Sequence, residues 1–504
     1  MTTSASAIAP ARRARPFRRV VASLVAMALA SAPLPSLPQA DNLPRLGEAG
    51  GDELSPAAER RLGDQIMRDL RRDASVSDDA EINGYLNRLG AQLTATQAAA
   101  GYVFDFFLVI DTTLNAFALP GGHIGVHSGL ITASQSESEL ASVLSHEIGH
   151  VTQRHIARML SQGRQTSMVA LAAMVLAALA AKSNPGAAAG IATMASGAQQ
   201  QQMLSFSRDA EREADRVGID TLRQAGFDPN GMVAFFGRLQ QAGRLYEGSA
   251  PAYFRSHPLT VERIADMQAR VQDTRYRQRP DSIEFRLVRA KLRALASTSV
   301  DALRAVRSQF ERQIRERTTL DETAAWYGLA VTALAQRDFA AVERALAETR
   351  KRLPAGHPFV ERLAADAKLQ AGDAAGALAI AQAASARFAG ARALVYLEAE
   401  ALLSMRDYAR AGVFLQDQLT LYRGDPVLWR LLSRAHNGMN QPALAHRAAA
   451  EEYALIGGWL AAIEQLRLAQ RAGNVDFYTA SQIDSRIKEL QAEYSREQQD
   501  RTGR

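Results

Sequence analysis

Five consecutive residues, His146-Glu147-Ile148-Gly149-His150, carry the strongest chemical signal in this 504-residue chain. Two histidines four apart on a helix project from one face and can share a metal ion. Glu147 sits beside them, placed to take a proton from a water held by that metal and pass it to a leaving amine. The H-E-x-x-H pattern needs a helical context. Ser136 to Met159 supplies it, with helical periodicity and with Ser136 and Glu139 at capping-box spacing. The bland alternative is a pair of solvated helix histidines, which fits that context poorly. The expected chemistry is hydrolysis assisted by one zinc ion (Zn2+) per chain.

Catalytic zinc takes three protein ligands and keeps a fourth position open. The chain has no cysteine, so the third ligand has to be a histidine or a carboxylate, and thiol catalysis is excluded. The best candidate is Glu211, in Ser207 to Asp215 (SRDAEREAD). Glu211 and Asp215 are again four apart, so one can ligate while the other supports it. Glu213 points elsewhere on the helix. Taken alone, the segment reads equally well as a solvated acidic face. His257 stands in Arg255-Ser256-His257-Pro258-Leu259, before a helix. It can reach the zinc's fourth position, or donate a hydrogen bond to a tetrahedral intermediate, or merely begin the helix. His123, His127 and His155 read as structural. The first two flank a glycine-containing turn, and His155, five residues past His150, faces away from it.

Several elements must hold these groups in place. Leu54 to Gln97 reads as helical, with Ser55-Pro56 as cap and first residue. Tyr102 to Ile110 (YVFDFFLVI) reads as a strand, and Asn115 to Ile131 as a turn with a second short strand. Met168 to Ala181 is almost wholly apolar, and an Ala/Gly-rich stretch runs on to Ala198 after a break at Lys182 to Gly186. Each arm is shorter than a membrane span. The pair reads as a buried helical hairpin or as a flap facing membrane or substrate.

From Asp281 the texture changes to Ala, Leu and Arg with helical period. A turn recurs as Arg337-Asp338-Phe339-Ala340, Gly372-Asp373-Ala374-Ala375, Arg406-Asp407-Tyr408-Ala409 and Asn440-Gln441-Pro442-Ala443. Its second positions are 35, 34 and 34 residues apart, the tetratricopeptide period. The boundary falls at Arg275 to Pro280. The expected fold is an α+β domain, mostly helical with a small sheet, over 41–275, followed by an all-α tetratricopeptide-like solenoid over 281–495.

The formal charge of +6 is an N-terminal feature, because Arg12, Arg13, Arg15, Arg18 and Arg19 supply five charges and leave +1 for the rest. It gives no case for nucleic-acid binding. That cluster and the apolar run Val20 to Ala30 read as a signal peptide over 1–40, which implies export.

The HEIGH helix, the preceding NAFALPGG and GLI elements, and the SRDAEREAD segment together resemble the HtpX-like gluzincin metallopeptidases, a group that includes the CAAX-processing proteases. The resemblance is strong over roughly 111–264. It implies that Glu211 is the third zinc ligand, beside His146 and His150, and that Asp215 is a supporting or proton-handling residue. It also favours a functional His257, as a catalytic donor or as a fourth ligand in a latent state. With the leader and the repeats added, the whole chain resembles the periplasmic β-barrel assembly-enhancing proteases of Gram-negative bacteria. That implies a periplasmic zinc endopeptidase acting on misfolded or stalled outer-membrane proteins, with the repeats contacting the β-barrel assembly machinery. It also suggests substrate addition to an edge strand over Gly121 to Ile131, and peripheral membrane contact through 168–198. The alternative is a repeat-based chaperone or adaptor with a largely latent peptidase site. An intact set of His146, Glu147, His150, Glu211 and Asp215 favours the enzyme. A third class, serine hydrolase, lacks its G-x-S-x-G elbow here.

Overall fold

The computed structural model describes residues 54–95, 102–162, 207–245, 253, 256–272, 279–296, 299–317, 321–473 and 476–502. The leader and the apolar stretch 168–198 lie outside the described residues. Among the described residues no helix is long and apolar enough to cross a membrane.

The N-terminal part is mostly helical with one three-stranded sheet, as the sequence leads one to expect. Its elements are α1 (Pro56–Leu70), α2 (Ala80–Thr94), β1 (Asp105–Val109), β2 (Ala116–Ala118), β3 (His123–His127), α3 (Ser128–Ala133), α4 (Glu137–Thr152), α5 (His155–Gln162), α6 (Arg208–Gln224), α7 (Asn230–Leu245) and α8 (Val261–Val271). Ser55 caps α1 with Pro56 at its start. The helical stretch expected over 54–97 is broken between α1 and α2, where short polar side chains capture the backbone. Asp73 accepts from the Ser75 N–H at 2.8 Å, and Asp79 accepts from the N–H groups of Glu81 and Ile82 at 3.0 and 3.1 Å.

The strand order is β1-β3-β2, with β1 parallel and β2 antiparallel to β3. This corrects the expectation for 121–131. β3 is the central strand, flanked on both sides and buried throughout, and the chain turns helical again at Ser128. The outer side of β1 is occupied by side chains of α2. Asn87 accepts from the Phe106 N–H and donates to its carbonyl, and Asn83 accepts from the Leu108 N–H. The remaining sheet edge is β2. The β2–β3 turn needs glycine: Gly121 and Gly122 have φ of 77° and 95°, and a Cβ on Gly121 would lie 2.7 Å from the Arg60 Cα.

The C-terminal part is all helical: α9 (Ile283–Ala294), α10 (Val300–Glu316), α11 (Glu322–Ala335), α12 (Phe339–Arg352), α13 (Pro358–Gln370), α14 (Ala374–Arg387), α15 (Arg392–Ser404), α16 (Tyr408–Leu421), α17 (Pro426–Gly438), α18 (Pro442–Leu455), α19 (Trp459–Arg471) and α20 (Phe477–Thr502). The recurring turn now has a physical meaning. Its first residue adopts left-handed φ, at Arg337 (59°), Gly372 (89°), Arg406 (61°) and Asn440 (56°). Its second caps the next helix, with Asp338, Asp373 and Asp407 accepting from backbone N–H groups. At Gln441 the following Pro442 does that work by starting the helix.

One hydrophobic core runs from Ile82 in α2 through the sheet and α4 to Phe285, Tyr327, Phe359 and Ala367 in α9 to α13. Later repeats have a core of their own, including Leu402, Leu415 and Leu432. Near its end the array meets α1, where Arg68 lies over the Trp459 ring at 5.5 Å.

Candidate metal centre

Helix α4 is capped by Ser136, whose hydroxyl accepts from the Glu139 N–H at 3.2 Å. Glu139 reaches back to the Gln135 N–H at 2.6 Å and pairs with Arg238 of α7. Every residue from Glu137 to Val151 is buried, so His146, Glu147 and His150 emerge inside the protein.

Helix α6 crosses α4 at unusually short range because glycine faces backbone on both sides. A Cβ on Gly149 would sit 3.0 Å from the Ala214 carbonyl oxygen, and one on Gly218 would sit 3.2 Å from the His146 nitrogen. That approach carries Glu211 and Asp215 to the histidines. Glu211 lies 3.3 Å from His150 Nε2 and 3.5 Å from His146 Nε2. Asp215 Oδ1 lies 3.0 Å from His146 Nδ1, the ring nitrogen turned away from the cluster. Both carboxylates thus share the helix face that their spacing requires.

His257 completes the group. Its Nδ1 is 3.0 Å from Glu211 Oε1 and 3.4 Å from His146 Nε2, and its Nε2 is 3.6 Å from Glu147. Candidate ligand atoms of His146, His150, Glu211 and His257 all lie within 4.8 Å of one another, and all four residues are buried. Tyr253 stacks on the His257 ring, with centroids 4.5 Å apart.

Two observations test whether a metal fits. Neither carboxylate oxygen of Glu147 has a hydrogen-bond partner among the described residues, although the residue is fully buried. Such a group calls for an additional partner. The charges agree. Burial opposes a charged His146, but the Asp215 and Glu211 carboxylates outweigh it and push its pKa up to about 10. Burial likewise opposes a charged Glu211, yet the His257 imidazole and hydrogen bonds from His146 and His150 hold it well below the usual carboxylate range. Burial drives His150 well down and Glu147 up. The cluster therefore retains a carboxylate and attracts positive charge, and a metal cation supplies that charge in place of a proton.

Three residues were not legible in the motif. Arg263 of α8 is buried. It bonds Asp215 through two nitrogens at 2.7 and 2.8 Å, approaches Glu211 at 2.6 Å and donates to the Pro258 carbonyl at 2.8 Å. Its signal was faint but present, since Arg263, Met267 and Val271 form the buried stripe of an amphipathic helix, an odd place for a charge. His155 is a correction. Helix α4 ends before Arg154, whose φ is 55°, and the turn brings His155 Nδ1 to 2.8 Å from His150 Nδ1. Glu213 is the third, meeting His155 Nε2 at 3.0 Å and Arg158 at 2.7 Å. His123 and His127 stay outside the cluster. The first bridges Asp64 and Asp105, and the second contacts Thr113.

A helix bearing H-E-x-x-H, joined by a glutamate from a second helix, defines a zinc metallopeptidase. Comparison with known proteins agrees. Residues 80–271 match Peptidase family M48. A Vibrio cholerae protein is 32% identical over 478 residues, covering 94% of this chain and 98% of its own length. The beta-barrel assembly-enhancing protease of Escherichia coli is 30% identical over 480 residues, covering 94% and 97%. Mitochondrial metalloendopeptidase OMA1 of Schizosaccharomyces pombe is 32% identical over 186 residues, covering 36% and 51%. The chain belongs to peptidase family M48 and, within it, to the β-barrel assembly-enhancing proteases.

Proposed function

We propose that the chain is a periplasmic endopeptidase with one zinc ion, held by His146, His150 and Glu211, that removes misfolded or stalled outer-membrane proteins. The observation that carries this reading is the buried four-residue ligand cluster beside a Glu147 carboxylate with both oxygens unpartnered. A zinc ion held by His146, His150 and Glu211 would supply Lewis acidity for activating water and polarising the scissile carbonyl. Glu147 accepts the proton and returns it to the leaving nitrogen. Burial favours that role by raising the carboxyl's proton affinity. Asp215 Oδ1 stands 3.0 Å from His146 Nδ1, where it favours the tautomer that turns Nε2 to the metal. Arg263 holds Asp215 in turn. Extended substrate adds to the β2 edge, which packs against α4, the helix that carries Glu147.

In this reading residues 1–40 are a signal peptide, 41–275 the peptidase domain and 281–495 the repeat domain. The repeats engage the β-barrel assembly machinery, in keeping with the names of the relatives. The segment 168–198 makes peripheral membrane contact. His257 favours a latent resting state, because it sits within ligand distance of the same cluster and has 1% exposure. Partner binding to the repeats withdraws it.

Glu147→Gln tests the chemistry. Zinc content should persist while cleavage of an unfolded β-barrel protein falls by roughly 10²–10⁴-fold. Wild-type cleavage by this variant would exclude the mechanism. His257→Ala tests latency. Raised basal proteolysis supports the gate, and a loss of activity with zinc retained makes His257 a transition-state donor instead.

A further inference from the structure

We infer that His155 is a positioning residue for the metal centre, fixing His150 through a hydrogen-bonded chain that ends on Glu213. The inference rests on the reading that His150 is a metal ligand, and it concerns the side of that ring facing away from the metal.

On an uninterrupted helix His150 and His155 would be about 140° apart at roughly 100° per residue, and could not touch. Arg154 removes that obstacle. Its φ of 55° is left-handed, a conformation that strains a non-glycine residue. The surroundings hold it there. The Arg154 guanidinium bonds the buried Glu59 carboxylate at 2.8 Å and also reaches the Leu54 carbonyl, both at the start of α1. Its N–H bonds the Val151 carbonyl at 2.9 Å, and its own carbonyl accepts from Arg158 as α5 begins. A strained residue anchored on a separate element turns the chain so that His155 meets His150.

The polarity of the chain is then determined. With Nε2 of His150 facing the cluster and its lone pair given to a metal, the proton must reside on Nδ1. That Nδ1–H donates to His155 Nδ1 at 2.8 Å. His155 then carries its proton on Nε2, which donates to Glu213 at 3.0 Å. Arg158 holds the same Glu213 oxygen at 2.7 Å. Each donor meets an acceptor, and the series ends on a carboxylate at the protein surface. His146 has a parallel arrangement through Asp215 and Arg263, so both motif histidines are oriented from behind by a carboxylate. For His150 the carboxylate acts through an interposed imidazole.

Partners of this kind usually change metal affinity by roughly 10–100-fold. The test is zinc affinity of the full mature chain, by competition with a chromophoric chelator, with melting of the metal-free chain recorded alongside. His155→Phe should weaken zinc binding by about 10–100-fold. His155→Asn should recover most of it, because Asn Oδ1 accepts a hydrogen bond where Nδ1 does. A merely structural side chain would lower the metal-free melting temperature and leave affinity unchanged. His155→Phe at wild-type affinity, with His150→Ala strongly impaired, overturns the inference while leaving the ligand reading intact. His150→Ala at wild-type affinity overturns the ligand reading itself. Should His155→Phe not fold, Glu213→Gln decides: a several-fold loss supports the chain, and wild-type affinity overturns it.

Discussion

Lys291→Met should destabilise the whole chain, by an amount that depends on pH in a calculable way. Lys291 of α9 is buried between two carboxylates at the start of α2, 2.5 Å from Asp79 and 2.5 Å from Glu81. Asp79 is partly solvated and also caps α2, whereas Glu81 is buried and its second oxygen has no hydrogen-bond partner. Burial already raises the Glu81 carboxyl despite the ammonium beside it. Without the ammonium, Glu81 escapes by taking up a proton. At pH 7 that costs up to about 3.7 kcal/mol, from roughly 1.36 kcal/mol for each of some 2.7 pH units above an ordinary glutamate pKa near 4.3, less the part that the already raised carboxyl costs in the wild type. The figure agrees with the roughly 3–5 kcal/mol lost when one partner of a buried ion pair is removed. The positive field of Arg362 in α13 remains and trims it. A raised folded-state pKa means stability is lost as pH rises above the unfolded value, so the penalty should shrink to about 1 kcal/mol at pH 5. Lys291→Met/Glu81→Gln should regain most of the loss. Guanidinium titrations of the intact chain at pH 5 and pH 7 measure both. A penalty below about 1 kcal/mol at pH 7, or one equal at the two pH values, would refute the reasoning.

Three further outcomes are expected. Burial lowers His357 to about 4, and its Nδ1 caps α13 by accepting from the Phe359 N–H. Its folded-state pKa lies below the unfolded value, so stability is complete above about pH 6.5 and falls towards pH 4, by up to about 3 kcal/mol. His357→Asn keeps a cap acceptor and should flatten that part of the stability–pH curve; an unchanged curve would contradict the assignment. Arg263→Met leaves buried Asp215 without its guanidinium partner and should cost the metal-free chain about 3–5 kcal/mol, read as a lowered denaturation midpoint. Gly218→Val should force α6 away from the His146 backbone and weaken zinc binding in chelator competition, with helical content by circular dichroism retained.

The sequence was most informative where one helix carried the whole signal. His146, Glu147 and His150 needed only a period of 3.6, and Ser136 marked the start of that helix. The repeat array was readable because its turn imposes two local requirements, a left-handed residue and a helix cap, which favour recognisable residue types. The strand order was not readable, because β3 has a near-continuous buried pattern that suits an edge or a centre until its partners are known. His155 was misplaced because one left-handed arginine, held by residues nearly a hundred positions away, undoes the helical count. Arg263 has no motif at all, and its importance comes from two carboxylates that only the fold brings near it.

The start of α4 is not held by its own neighbours alone. The Glu137 N–H donates to Asp281 at 2.7 Å, and Glu137 in turn accepts from the Ser282 N–H and hydroxyl. The shared core extends to Ala367, so the segment up to residue 280 lacks part of the packing that surrounds this chemistry. A chain ended before the repeats is expected to carry its cleavage residues without the frame that orders them. A polypeptide stopped at residue 280 should bind a hydrophobic dye, lack cooperative melting and show little affinity for zinc, although every proposed ligand is present in it.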